Sequence, residues 1–205
     1  MKLFSRSNQK SQDQQSVIVV SGLPRSGTSM MMRMLAEGGL SILTDEQRRA
    51  DDDNPNGYFE LEMVKQLREH DSAWLKEADG KVVKVISSLL EYLPAQYHYK
   101  IIFMERDFRE TLDSQKKMLN HRGQEARLTD DEMKQQFQAH LSNMKPWLVR
   151  QPNIEVLYVN YNALMTAPQP FCEKIAQFLE LPLNQAQMLA VPDQELYRNR
   201  SRSEK

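Results

Sequence analysis

The stretch Val17-Ile18-Val19-Val20-Ser21-Gly22-Leu23-Pro24-Arg25-Ser26-Gly27-Thr28-Ser29, running on into Met30-Met31-Met32-Arg33-Met34-Leu35, decides the fold. It begins as a β-branched apolar run, the composition of a buried strand. Two glycines, a proline and three hydroxyl residues follow and read as a tight loop. The loop opens onto a helical segment for which Gly38-Gly39 is the C-cap. Strand, glycine-containing loop and helix N-terminus together make an anion site. Loop N–H groups converge, the first helical turn has unpaired donors, and the helix dipole favours negative charge. The expected ligand is phosphorylated or sulfated.

The letters of the loop narrow that ligand. A nucleoside-triphosphate P-loop needs Gly, four residues, Gly-Lys and then Ser or Thr. Gly22 and Gly27 keep the spacing, but Thr28 stands where the lysine belongs. Without it, nothing in the motif reaches a β/γ-phosphate pair, which weighs against a kinase with a divergent loop. The cation lies inside the loop instead, at Arg25. Pro24-Arg25-Ser26-Gly27-Thr28-Ser29 resembles the 5′-phosphosulfate loop of sulfotransferases, which take sulfonate from 3′-phosphoadenosine-5′-phosphosulfate (PAPS) and release PAP. The resemblance implies that all six residues contact the nucleotide and that no metal is needed.

Two further segments extend the resemblance. Tyr99 to Arg106 reads as a second buried strand, and Asp107 with Glu110 has the pattern of a capping box opening the next helix. Sulfotransferases place an arginine at such a strand end and a serine eight residues later around the 3′-phosphate; Arg106 and Ser114 keep that interval. A planar guanidinium fork suits a dianionic phosphate, and a serine hydroxyl adds a donor. Ile154 to Tyr161 reads as a late strand, Leu164 to Pro168 as a turn, and Pro170 to Leu181 as an amphipathic helix with Phe171, Ile175, Phe178 and Leu179 on one face. The family's corresponding tyrosine lies beside the adenine, which implies that place for Tyr161; a half-buried strand-end aromatic is the other reading. The resemblance spans residues 17 to about 200.

The catalytic groups are less explicit. Sulfonate transfer to a hydroxyl needs an in-line acceptor, a base for its proton and cations for the leaving oxygen. Arg25, in the loop that holds the 5′ end, is the fixed charge on the leaving side. Lys81 to Ile86, with Leu89-Leu90 and Leu93-Pro94 after it, resembles the strand where cytosolic sulfotransferases carry Lys-Thr-His. Lys84 matches that lysine, which makes it a substrate-side cation or else a strand-end surface lysine. Ile86 stands at the histidine, so the usual base is missing, and a catalytically silent nucleotide-binding protein of the same fold stays open. The segment Asn54-Pro55-Asn56-Gly57-Tyr58-Phe59-Glu60 resembles an Asn-Pro-x-Gly-aromatic-x-Glu segment of bacterial sulfotransferase-like proteins. That makes Glu60 the candidate base, against a reading as a first-turn helix glutamate.

Composition fits a single soluble α/β domain. The 205 residues can bury a proper core. A formal net charge of −1 argues against a general nucleic-acid binder. No apolar stretch reaches membrane-spanning length, the polar N-terminus lacks a signal sequence's apolar centre, and the one cysteine, Cys172, excludes an internal disulfide, so a cytoplasmic setting is expected. Residues 1–16 read as a flexible lead-in and 17–200 as the domain. Within it, 40–57 reads as a loop holding Arg48, Arg49 and Asp51-Asp52-Asp53, 60–76 as helix, and 120–130 as loop; Thr129 and Glu132 then box the start of a helix of four or five turns. The methionines at 30, 31, 32 and 34 belong to the core behind the loop, with Met31 or Met32 able to line an acceptor pocket, and His70, His98, His121 and His140 lack metal-ligand spacing. Arg198 and Arg200 either fold back to the 3′-phosphate or lie in a frayed tail. Alternating strands and helices imply a mostly parallel central sheet flanked by helices, a P-loop-like sulfotransferase fold with its ligand at the strands' carboxyl ends. The acceptor, a hydroxyl of a carbohydrate, lipid, small molecule or protein or else an amine, carries no sequence signature.

Overall fold

In the computed structural model, which describes residues 16–45, 47, 51, 54, 57–121, 123 and 128–192, the apolar runs become strands of one sheet. The strands are β1 (Val17–Gly22), β2 (Ile42–Leu43), β3 (Val82–Lys84), β4 (Tyr99–Glu105) and β5 (Ile154–Asn160). They lie in the order β2-β3-β1-β4-β5, and every neighbouring pair is parallel. β1 is buried at every residue, as a strand covered on both faces should be, and this is why it reads as an unbroken apolar run. The buried charge of β4, Lys100, reaches out of the core to the Phe178 carbonyl (2.9 Å) and the Glu180 carboxylate (3.3 Å).

Helices α1 (Thr28–Glu37), α2 (Phe108–His121), α3 (Asp130–Val149), α4 (Tyr161–Thr166), α5 (Pro168–Leu179) and α6 (Gln185–Leu189) connect and cover the sheet. The two-residue period of β1 divides the core. Val17 and Val19 pack with Trp74, Leu75, Leu90 and Leu148 on one face. Ile18 and Val20 pack on the other with Met31, Met32 and Met34 of α1 and with Cys172 and Ile175 of α5. Three of the four clustered methionines are fully buried, as expected, while Met30 only rests against that core.

Several expectations shift on contact with the structure. The segment read as one helix over 60–76 is two 3-10 helices, Glu62–Glu69 and Ala73–Glu77, broken at His70, whose φ is 60°. Its buried pair, Val64 and Leu67, is spaced by three, the 3-10 repeat. Residues read as loop include β2 at the sheet edge, and the turn read over Leu164–Pro168 is mostly α4, capped by the Asn160 side chain accepting from the Ala163 N–H at 2.8 Å. The Thr129–Glu132 capping box forms as read, with both of its hydrogen bonds. The expected lead-in through residue 15, and Arg48, Arg49, Asp52, Asp53, Pro55, Asn56, Arg198 and Arg200, lie outside the described residues. Among the described residues no helix is long and apolar enough to cross a membrane.

Ile101 sits at the sheet's centre with no exposed surface. Ile101→Ala should cost about 2–5 kcal/mol of unfolding free energy, measured by urea denaturation.

Candidate active site

Parallel strands share one carboxyl edge, and the register brings four candidate residues to it. Val20 pairs with Lys84, Gly22 with Met104, and Glu105 with Asn160. β3 therefore ends at Lys84, β4 releases Arg106, β5 releases Tyr161, and β1 releases the loop carrying Arg25.

That loop is shaped by close approach. A Cβ on Gly22, whose φ is 152°, would stand 2.5 Å from the Ser26 hydroxyl and 2.6 Å from the Met104 carbonyl. The Ser26 N–H closes a turn onto the Leu23 carbonyl (3.2 Å), and the Ser26 hydroxyl is buried with no hydrogen-bond partner among the described residues. Arg25 adopts a left-handed backbone (φ 67°), uncommon for a side chain-bearing residue. Gly27 (φ 96°) begins α1 without a side-chain cap, so the first-turn N–H groups have no helical acceptor, and no acidic residue lies in that turn to oppose an anion. Pro24 is exposed; Thr28 and Ser29 are half-buried at the loop's mouth.

Arg25 and Arg106 meet directly. Arg106 Nη1 donates to the Arg25 carbonyl at 3.1 Å, and Arg25 Nε donates to the Ser114 hydroxyl at 2.9 Å. Arg106 Nε donates to Glu110 Oε2 at 3.1 Å, and its guanidinium lies over the Tyr161 ring, 4.5 Å from the centroid. The Tyr161 ring in turn lies against Gly27, where an added Cβ would collide with it. Burial pushes the Tyr161 phenol up, Arg106 opposing, so it stays protonated at neutral pH. The expected Asp107–Glu110 capping box is only half made. The Asp107 carboxylate accepts from the Arg109 and Glu110 N–H groups, at 2.8 and 3.2 Å, but its own N–H goes to the Asn162 side chain at 3.1 Å. Glu110 turns to Arg106 because a buried guanidinium needs a carboxylate more than an exposed N–H does.

A second cluster lies on the β3 side. Lys84 Nζ donates to the Ser29 hydroxyl (3.1 Å) and the Tyr58 carbonyl (2.9 Å), and stands 3.9 Å from Glu60 Oε1. Its side chain is 10% exposed, which removes the surface-lysine reading. Glu60 lies two residues ahead of the 3-10 helix, outside it, so it is not a first-turn helix glutamate. Its segment is strapped down: the Glu60 carbonyl accepts from the Thr44 hydroxyl (2.8 Å) and the Asp45 N–H (3.3 Å), and the Tyr58 hydroxyl binds the Asp51 carboxylate at 2.7 and 2.8 Å. Between them Phe59 is held at φ 51°, a strained turn that lets the Tyr58 carbonyl and the Glu60 carboxylate both face Lys84. Ile86, where the family's histidine stands, is 44% exposed. His140, partly buried on α3, meets Ser87 at 2.9 Å, and burial lowers its proton affinity against the pull of Glu91. Among the described residues no group of acidic, histidine or cysteine side chains could hold a metal.

The arrangement offers one anion two cationic poles, α1's N-terminus with Arg25 and then Arg106 with Ser114, and through Ser29 it adds a lysine–carboxylate pair beside the first pole. The motifs named most of these residues. They did not show that Arg25 would touch Ser114, that Glu110 would serve Arg106, or that Lys84 would hold Tyr58 and Ser29. The acidic residue four positions after Arg106 gave no such signal, because its spacing from Asp107 reads equally well as a capping box.

The sequence profile described as "Sulfotransferase family" matches residues 58–185, which takes in Glu60, Lys84, Arg106, Ser114 and Tyr161 but begins after the loop. No curated protein matches the sequence. Sulfotransferase STF1 from Mycobacterium tuberculosis is structurally similar, with TM-score 0.59, 16% identity, and coverage of 88% of this chain and 72% of that one. The mouse sulfotransferase SULT7A1, solved with PAP, gives TM-score 0.55 and 16% identity over 87% of this chain and 62% of its own. A sulfotransferase domain from the curacin biosynthetic pathway gives 0.52 and 16% over 90% and 80%. At these identities the likeness is one of fold.

Gly27→Ala must place a methyl in the Tyr161 ring at a left-handed φ. We expect it to destabilise the protein by roughly 1–3 kcal/mol in urea titration, and Tyr161→Leu to relieve part of that loss.

Proposed function

The chain belongs to the sulfotransferase family, and on that premise we propose that it moves a sulfonate group from PAPS to an acceptor hydroxyl in the cytoplasm. The observation that carries this reading is the junction of Arg25, Ser114 and Arg106, which sets two guanidinium groups and a hydroxyl at one strand edge beside a helix N-terminus. That donor set fits a nucleotide bearing anionic groups at both its 5′ and 3′ ends, and PAP is the nucleotide bound in the mouse sulfotransferase.

In this reading Pro24, Arg25, Ser26, Gly27, Thr28 and Ser29 surround the 5′ end, Arg106 and Ser114 grip the 3′-phosphate, and Tyr161 borders the nucleotide through Arg106 and Gly27. The donor supplies a sulfonate carried on a phosphate leaving group. Arg25 holds a fixed positive charge where that group departs. Lys84, anchored between Ser29 and Tyr58, faces the side from which the acceptor arrives. Glu60, beside Lys84, takes the acceptor's proton as the new sulfur–oxygen bond forms, the role that Ile86 cannot fill. Acceptors of this class are hydroxyls of carbohydrates, lipids, small molecules or proteins.

Calorimetry with PAP, and with ATP plus magnesium, tests the nucleotide half: PAP should bind without metal and ATP should not compete. Arg106→Ala should weaken PAP binding by about 2–3 kcal/mol, the range for a charged contact. A labelled-sulfate screen over sugars, phenols and lipids tests the chemistry. Glu60→Gln should abolish transfer and leave PAP affinity unchanged; PAP binding with no transfer to any acceptor would instead mark a silent nucleotide binder.

A further inference from the structure

Glu110 is, among the described residues, the one carboxylate buried within the cationic junction, with 1% of its surface exposed. A carboxylate at the rim of an anion site weakens the attraction that site exerts, so its presence there calls for a reason. The sequence pattern offers an ordinary one, the second half of a capping box with Asp107. The structure removes it, because Asn162 takes the Asp107 N–H and Glu110 is aimed the other way.

We propose that Glu110 is a positioning residue for the 3′-phosphate: it orients the Arg106 guanidinium so that the arginine meets that phosphate preformed. The inference rests on the nucleotide reading above. A guanidinium is a rigid plane with a fixed fork of donors, and contacts to Glu110, Arg25 and Tyr161 constrain its pose here. Glu110 Oε2 holds Nε at 3.1 Å, the Arg25 carbonyl holds Nη1 at 3.1 Å, and the Tyr161 ring supports the flat face. Arg106 and Glu110 side chains are 8% and 2% exposed, so solvent does little to screen the pair. Glu110 and Ser114 stand four apart on α2, hence on one helix face. That face thus carries a hydroxyl for the phosphate and, one turn earlier, a carboxylate that places the phosphate's arginine. Without Glu110 the guanidinium would have to be ordered by the ligand itself, at the expense of affinity.

A purely structural ion pair would lower stability without distinguishing ligands, so the test compares adenosine 3′,5′-bisphosphate with adenosine 5′-phosphate, which lacks only the 3′ group. Titration calorimetry on the full chain should show Glu110→Ala losing roughly ten- to a hundredfold in affinity for the bisphosphate and less than about threefold for the monophosphate. Glu110→Gln, which keeps an acceptor oxygen for Nε, should recover most of the loss. Should Glu110→Ala fail to fold, Glu110→Asp, with its carboxylate withdrawn by one methylene, gives the same comparison. Equal losses on both ligands, unchanged bisphosphate affinity, or a Gln variant as weak as the Ala variant would each overturn the inference. If the wild-type protein does not prefer the bisphosphate at all, the nucleotide reading fails and takes the inference with it; a wild-type preference that survives in every variant sinks the inference alone.

Discussion

The buried guanidinium of Arg106 ties together chain segments that are distant in sequence. It leaves the end of β4, bonds the carbonyl of Arg25 after β1, lies on the ring of Tyr161 after β5, and pairs with Glu110 on α2. A cation so enclosed is tolerable only if its donors are met, and meeting them fixes where three strand ends sit relative to one another. The loop's backbone cannot drift from β4 without stranding Nη1. The sheet's parallel register makes this possible, since it delivers all three strand ends to the same edge.

The second cluster obeys the same logic with a lysine. Lys84 is short of water at the end of β3, and it is satisfied by the Tyr58 carbonyl, the Ser29 hydroxyl and the nearby Glu60 carboxylate. Holding two neighbouring groups of one short segment toward a single ammonium requires the left-handed turn at Phe59. Tyr58's hydroxyl on Asp51 and the Glu60 carbonyl on Thr44 and Asp45 supply the tethers that keep that turn in place. The strain is local, and the bonds that stabilise it lie on either side.

Legibility in the sequence followed the range of the physics. Strands β1 and β4 announced themselves because burial on both faces demands unbroken apolar runs, and the loop between β1 and α1 because its backbone needs glycine. Arg106 and Ser114 were readable because a strand end and a helix turn fix their separation. Partnerships across the sheet were not readable. Nothing in the letters around Arg25 encodes a bond to Ser114, since that contact depends on how α2 lies over the loop. Glu110 misled for a related reason: only the Asp107 half of the local capping pattern formed, because tertiary electrostatics claimed the Glu110 side chain. The segment 60–76 misled through its period, since an apolar spacing of three fits both helix types until the chain breaks at His70.

Cys172 lies wholly inside the layer that α5 lays over the sheet, against the methionine-bearing face of α1. As the sole thiol in the chain, it is a built-in reporter. A thiol reagent can reach it only when that layer parts, so labelling under native conditions clocks the breathing of the helical cover behind the loop. Because α1 joins that layer to the loop before it, any ligand that settles at the helix's first turn should slow the clock.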